Sequence, residues 1–556
     1  MGPVLTSIVH PPPPAAAKTL ARARFLLLTL ALPAAIVVGN FAIGSRTPIT
    51  LWLEDDVSYI DAVWHLVQGR RLGRDFHYVL GFGVLEGAAL LWRWIGPSYG
   101  VLRASADLFA LMVVACASIV ALRQLRHLPL LATLFCVAVA VEASAPSLYG
   151  DTHEFGMNGF YNRLITAGIA VLFVQSFARE AGPSGRPDLV GLSVAAFLLN
   201  LLFLTKISGL VLGLFVVGAG AVLGSDDRIR RLRDLAVVLF LLAIMIAIDF
   251  AVTGADLVAV LRSYWYAAQG RSSDANPEAV LWLVAGWPIL AACLLLVLHA
   301  ALFVPPGGAR ARCFVIIALC WLVQLMLNMT NTAADPASVA YLAPAAAVAI
   351  ASWMGVDGAP AVWPPWSGPR LPRLHDLPIR RAILALVVAL VVVPELVATL
   401  RAARLAYMAG TGRQPTVAMT AGRGVSFAVR GNRDLYIEMV QAVNGAVAAI
   451  EHLGLAQSTI ANLDVANPFP ALFGAPSPRG VAVAWDFDDL PVGYSPTLEE
   501  LVGDACLVAE PRKTVMEPGY LERLTAGMRA SLIAAFRPVY DDGAWRLWKR
   551  KDGCER

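Results

Sequence analysis

The feature that most limits what this chain can fold into is a succession of long apolar stretches nearly free of charge. Phe25–Gly44 and Leu235–Val252 each run about 18 to 20 residues with at most one ionisable group. Coiled as a helix at 1.5 Å per residue, such a stretch matches the roughly 30 Å hydrocarbon core of a bilayer. Charged residues make up only 15% of the 556, against about 25% in a soluble domain. That deficit calls for an apolar solvent. The chain therefore reads as a polytopic α-helical membrane protein.

About eleven spans are expected, near 25–44, 98–122, 129–146, 161–178, 189–205, 207–224, 235–253, 280–302, 313–332, 338–354 and 381–400. Ahead of them, residues 1–24 hold a Pro11–Pro14 run and then Lys18, Arg22 and Arg24. This reads as a disordered cytoplasmic tail leading into a retained anchor, because the following apolar run exceeds the roughly 7 to 15 residues of a cleaved signal. Residues 25–400 form the transmembrane domain, with a long first outer loop at 45–97. From about Arg401 polar and apolar residues mix, and residues 401–556 suffice for one soluble domain.

Arginine placement tests the order of the spans. If the first span leaves the cytoplasm, the inner loops after the second span carry fourteen arginines, such as Arg123, Arg179, Arg228, Arg310 and Arg370. The outer loops over the same region carry four basic residues: Arg163, Lys206, Arg262 and Arg271. This is the bias of the positive-inside rule. Counting Val79–Ile95 as a span would turn every later loop around, so it is expected to lie in the interface, with Glu86 and Arg93 on one helix face. A second interfacial helix is expected before it: Ile60, Val63, Trp64 and Val67 form an apolar stripe, with Asp61, His65 and Gln68 between them. Gly69–Gly81 joins the two.

The final domain is expected outside, as a small α/β unit. Tyr436–Leu453 and Tyr520–Ala535 read as helices, and Ser458–Leu463, Val481–Trp485 and Ala505–Val508 as strands. Arg537–Tyr540 and Trp545–Trp548 read as a hairpin across Asp541-Asp542-Gly543. Cys506 and Cys554 have the option of pairing if this domain faces an oxidising compartment. The other five cysteines lie in or beside apolar spans and read as small buried hydrophobes.

Three polar clusters stand out. Glu54-Asp55-Asp56 follows the first span, where adjacent carboxylates repel and are costly to desolvate. Asp151-Thr152-His153-Glu154, with Asn158, Tyr161, Asn162 and Arg163 after it, has groups suited to a metal, a proton relay or a phosphate. Thr205-Lys206 breaks two apolar runs on the outer side, where the lysine either snorkels to headgroups or holds a phosphate as a point charge.

The order of these features resembles the membrane-embedded C-type (GT-C) glycosyltransferases, such as protein O-mannosyltransferases and the aminoarabinose transferases that act on lipid A. The similar elements are a basic N-terminus, one span, and a D-[DE]-x-x-Y motif (Asp55, Asp56, Tyr59) opening a long outer loop. An interfacial helix ending at Ile95-Gly96, a span beginning near Arg103, and Tyr341-Leu342-Ala343-Pro344 entering a late span complete the pattern. The resemblance runs over about residues 20–355, and the tail is similar to those of many members.

It implies an inverting glycosyltransferase that moves a sugar from a polyprenyl-phosphate carrier to a lipid or glycan acceptor at the outer face of the membrane. Asp55 and Asp56 are the catalytic candidates, since an acid of that loop serves the family as acid/base. The leaving phosphate would be met by Lys206, Arg163, Arg262 or Arg271. Asp151 or Glu154 corresponds to the second acidic loop, where this chain departs from the family pattern. A divalent metal is used by some members and is not required by these residues. Bacterial plasma-membrane localisation, membrane lipids as surroundings and no nucleic-acid partner are expected. Two alternatives come from other classes: an inactive scaffold or sensor, and a transporter or flippase of lipid-linked glycans. Transport is disfavoured because transporters usually place ionisable groups within spans near the midplane, whereas here Asp249 is the clearest acid inside a span and the polar clusters sit in outer loops.

Overall fold

The computed structural model of the protein describes every residue except 1–18, 20–22, 50–52, 79–80, 127, 146–155, 157–159, 179–187, 224–227, 273–286, 305–306, 330–341, 354–376, 414–415, 420–426, 430–433, 484–495, 515–518, 526 and 554–556. The expected tail at 1–24 thus lies almost wholly outside the described residues, as do Asp151, His153, Glu154, Tyr341 and Cys554.

Helix α1 is Ala23–Gly44, with a π-helical stretch at Leu27–Ala31. The first loop folds as α2 (Leu53–Val67), the two-residue strand β1 (Phe76–His77) and α3 (Gly83–Ile95). Apolar helices follow: α4 (Gly100–Gln124), α5 (Pro129–Ser144), α6 (Phe160–Phe177), α7 (Leu189–Thr205), α8 (Ile207–Leu223) and α9 (Arg228–Thr253). A helix in the expected fourth outer loop, α10 (Leu257–Ser272), precedes α11 (Trp287–Phe303), α12 (Gly308–Met329), α13 (Leu342–Trp353) and α14 (Leu377–Gly410). Among the described residues six helices are long and apolar enough to cross a membrane, and five more are shorter apolar helices. Each overlaps one of the expected spans. Helix α6 is central, packed by α4, α5, α7, α8 and α13.

The helix ends are sorted. At one end Arg123, closing α4, pairs with Asp188, which caps α7, while Gln124 donates to the Gln175 side chain of α6. Arg231 and Asp234 of α9 line a cleft with Gln175 and Gly191 there. At the other end α1 finishes against Arg103 of α4, whose guanidinium donates to the Ser144 carbonyl at the end of α5. The α7–α8 break at Lys206, the end of α9 and the whole first loop share this second end. The spanning helices therefore alternate in direction through α9, and Arg123 and Arg231 fall at one end. Helix α3, at 13 residues, is too short for a roughly 30 Å crossing. Its Leu90, Trp94 and Ile95 are exposed apolar side chains, as an interfacial helix requires.

Helix α2 departs from expectation. Rather than lying half-wet at an interface, it buries Asp61 and His65 as well as Ile60 and Val63 of its apolar stripe, and His65 is 0% exposed. The cause is the tail, which folds over it. Trp64 and Gln68 donate to the Ala475 carbonyl at 2.8 and 2.6 Å, and Ser477 N–H returns a bond of 2.9 Å to Gln68. Trp64 thus meets protein and not headgroups.

Helix α14 carries Pro394 inside it and continues past Arg401 to Gly410. Charge ends an apolar run but does not end a helix. Beyond it lie β2 (Val417–Met419), β3 (Phe427–Val429), α15 (Asp434–His452), β4 (Ile460–Asn462) and a short helix, α16 (Phe469–Phe473). After β5 (Val481–Ala482), α17 (Leu498–Val502) and β6 (Leu507–Pro511), two short helices lead to the hairpin β7 (Phe536–Asp541) and β8 (Trp545–Arg550). A four-stranded sheet has order β4-β6-β8-β7, with β4 and β6 parallel and the other pairs antiparallel. The single helix expected over 520–535 is two, Tyr520–Thr525 and Arg529–Ala535, separated at Gly527 with φ +77°. Strand β5 does not join this sheet. It pairs in parallel with β1 of the first loop, Phe76 opposite Val481 and His77 opposite Ala482.

Candidate active site

The three acids open α2, so their position follows from the helix. Acidic residues in a first turn are stabilised by the unsatisfied N–H groups there. Their burial differs: Asp56 is 0% exposed and Glu54 is buried, while Asp55 is half-exposed. Asp56 accepts a hydrogen bond from the Tyr99 phenol, which immediately precedes α4. One turn on, Tyr59 is fully buried, and its phenol is held well above the usual range. Desolvation is the main cause, with the phenols of Tyr161 and Tyr78 and the carboxylates of Asp55 and Asp56 adding to it. Tyr59 stays protonated, a donor among acceptors.

Tyr161 links this group to the break between α7 and α8. Lys206 is extended there (φ −169°, ψ 139°), interrupting the helix for one residue. Its ammonium stands 4.7 Å from the centre of the Tyr161 ring, a cation–π contact. The break is pinned from the first loop: Gly81 N–H donates to the Thr205 carbonyl at 3.1 Å. A β-carbon on Gly81 would sit 2.1 Å from that oxygen, so only glycine permits the approach. Loop and break are thus held against one another by backbone.

Arg163 lies in the first turn of α6, buried, with Nη1 3.8 Å from Glu142 near the end of α5. Arg103 donates through Nε to Asp107 at 2.7 Å and through its other arm to Ser144, whose hydroxyl receives Asn40 of α1 at 2.9 Å. Arg103 therefore ties α1, α4 and α5 together. Among the outer cations, Lys206 and Arg163 share the end that carries the acids. Arg262 on α10 is exposed and acts on His77 of β1, beside the tail. Arg271 is in α10, and its side chain is outside the described set.

Asp61 and His65 form a second buried polar group one helical turn apart, Nε2 to Oδ1 being 3.6 Å. Desolvation raises the Asp61 carboxyl well above its usual range and lowers the His65 imidazole to about 3. Asn467 of the tail donates its backbone N–H to Asp61, and Phe76 of β1 stacks on His65 at 4.7 Å. This pair faces the tail interface. Among the described residues no group of three or more His, Cys, Asp or Glu is arranged to hold a metal ion.

Sequence reasoning missed Tyr78, Tyr99, Glu142 and Asp107. Each is a polar residue in the first loop or close to the end of a span that carries the acids, and that shared end was the available signal. Asp107 and Glu142 also join Asp249, which receives Asn200 at 2.7 Å, as acids inside apolar helices.

These elements define a class: a mostly helical chain with the apolar helices of an integral membrane protein, a polar site at one end, and an appended mixed sheet. No family model and no curated relative matches the chain. Among solved structures, the chain is similar to the crystal structure of ArnT from Cupriavidus metallidurans bound to undecaprenyl phosphate. That similarity covers 96% of this chain and 98% of that one, at 13% sequence identity and a TM-score of 0.48.

Proposed function

We propose that the chain is an inverting glycosyltransferase that takes a sugar from a polyprenyl-phosphate carrier at the outer leaflet of a plasma membrane. The observation that carries this reading is the meeting of Asp55 and Asp56 with Lys206 through the Tyr59–Tyr161 pair. A carboxylate and an ammonium at one site, near the helix end that faces headgroups, answer the two demands of the reaction. An acceptor hydroxyl attacks the anomeric carbon and its proton passes to a carboxylate. The anomeric C–O bond breaks, and the leaving lipid phosphate takes the electron pair and needs a cation.

Asp55, the half-exposed acid, is assigned the base. Asp56, hydrogen-bonded to Tyr99, positions the turn that carries it. Lys206 and Arg163 serve the phosphate. One feature supports an outward-facing tail: the arginine asymmetry of the loops.

The test is transfer from a polyprenyl-phosphate sugar by purified protein. Asp55→Asn is expected to lower kcat by roughly 10²–10⁴-fold, the range of general acid–base contributions, with donor binding retained. Undiminished turnover by this variant would remove the assignment.

A further inference from the structure

The acids of the first loop stand on a helix whose far end is held by the tail. Residues 475–483 run along the first loop as a strap, joined to it mostly by backbone. Gly480 N–H donates to the Asp75 carbonyl at 2.9 Å, β5 pairs with β1, and Val483 N–H donates to the His77 carbonyl at 2.8 Å. At the α2 end the attachment changes in kind. There the strap reads Ala475-Pro476-Ser477-Pro478, and a proline nitrogen carries no proton. Ser477 holds the one N–H of residues 476–478, and it donates to a side chain, Gln68 Oε1, at 2.9 Å. The two prolines fix their own φ and disfavour helical backbone before them, which keeps this stretch extended and stiff.

Gln68 continues the last turn of α2, its N–H reaching the Trp64 carbonyl at 3.1 Å. Its amide works in both directions, donating to the Ala475 carbonyl at 2.6 Å while accepting from Ser477. A neighbouring strand would present the same pair of donor and acceptor. Ala475 and Ser477 are both 0% exposed, so water does not compete for these bonds. Trp64, on the same helix face, gives Ala475 a second donor at 2.8 Å and sets its ring 5.7 Å from that of Trp92 in α3.

This attachment matters because α2 is a lever. Among the described residues its main helical neighbours are α3 and, from the tail, α16. At the near end Asp56 meets Tyr99, and Tyr59 meets Phe160 at 5.6 Å. These are contacts between side chains, which leave the tilt of the helix axis to its far end. From Asp55 to Gln68 the helix spans about 20 Å at 1.5 Å per residue. A tilt of about 3° therefore shifts one end by about 1 Å relative to the other, and a misplacement of that size costs on the order of 100-fold in rate.

We infer that Gln68 is a positioning residue for the transfer: by tying α2 to the strap at residues 475–477 it fixes the place of Asp55 against the donor. The inference rests on the transfer reading and adds to it a residue outside the acid–lysine site.

The test measures kcat and donor KM for wild type and Gln68→Leu, full-length in nanodiscs, well below the melting temperature and per folded molecule. Radiolabelled glucosyl, galactosyl, mannosyl and arabinosyl polyprenyl phosphates serve as donors, and an envelope lipid extract as acceptor. Gln68→Leu keeps most of the side-chain bulk and removes both bonds. It should lower kcat roughly 10- to 100-fold, with donor KM within about twofold of wild type. Gln68→Glu keeps an acceptor for Ser477 N–H and loses the donor to Ala475. It should lower kcat less, by roughly three- to tenfold, and it decides the matter if Gln68→Leu fails to fold. Lower melting temperatures with kcat per folded molecule unchanged would mark a purely structural role and overturn the inference. A loss carried by donor KM, with kcat kept, overturns it too. If wild type transfers and the variants match it, the inference alone falls. If wild type transfers from none of the donors, the transfer reading falls and takes the inference with it.

Discussion

At the scale of single residues, burial decides what each ionisable group can do. Glu86 of α3 shows this outside the spans. Desolvation pushes its carboxyl up to about 7 from an ordinary 4.5, against the opposing pull of Arg93. A folded value above the unfolded one means that stability from the protonated form is complete below about 4.5 and is lost as pH rises through about 7. Glu86→Gln should therefore melt like wild type at pH 4.5 and higher than wild type at pH 8 in detergent. Equal melting temperatures at pH 8 would refute this. The Glu142–Arg163 pair behaves differently, because each charge is buried beside the other. Glu142→Gln should cost about 3–5 kcal/mol by leaving the guanidinium buried without its carboxylate. Glu142→Gln with Arg163→Met should recover most of that loss in a thermal-shift assay.

At the scale of elements, the site depends on where chain segments touch. The first loop reaches the α7–α8 break through Gly81, and the obstruction to any larger residue is backbone, which cannot rotate away. Gly81→Ala should destabilise by about 1–3 kcal/mol, the range for overpacking, and should lower transfer even at temperatures where the protein stays folded. Full activity with an unchanged melting temperature would show that the loop and break are not coupled. The element boundaries were largely legible in the chain itself. Spans, the α3 helix and the β7–β8 hairpin follow from apolar length, helical periodicity and an Asp-Asp-Gly turn. Helix α2 was legible as a helix, but its surroundings were not. The alternation of apolar and polar residues in it resembles any interfacial helix, and nothing local announces that the segment around Ala475 will cover Asp61 and His65.

At the scale of the whole molecule, topology and tail placement matter most. If the Arg123–Asp188 end is cytoplasmic, an impermeant maleimide should label a cysteine placed at Ala544 in intact cells. It should label one placed at Arg126 only after the membrane is broken. The opposite pattern would invert the orientation and place the acids of α2 on the wrong side for a lipid-linked donor of the outer leaflet.

The sequence by itself determined where the apolar helices lie and in what order, because a bilayer core demands length and apolarity that any window of residues reveals. It also marked Asp55, Asp56, Lys206 and Arg163 as unusual, since charge at the edge of an apolar run is costly wherever it occurs. Only the tertiary structure decided which of these share a site. Tyr99 on Asp56, Lys206 over Tyr161, and β5 beside β1 join residues separated by tens to hundreds of positions. Such contacts are set by packing between elements, and neither periodicity nor composition encodes which two surfaces will meet.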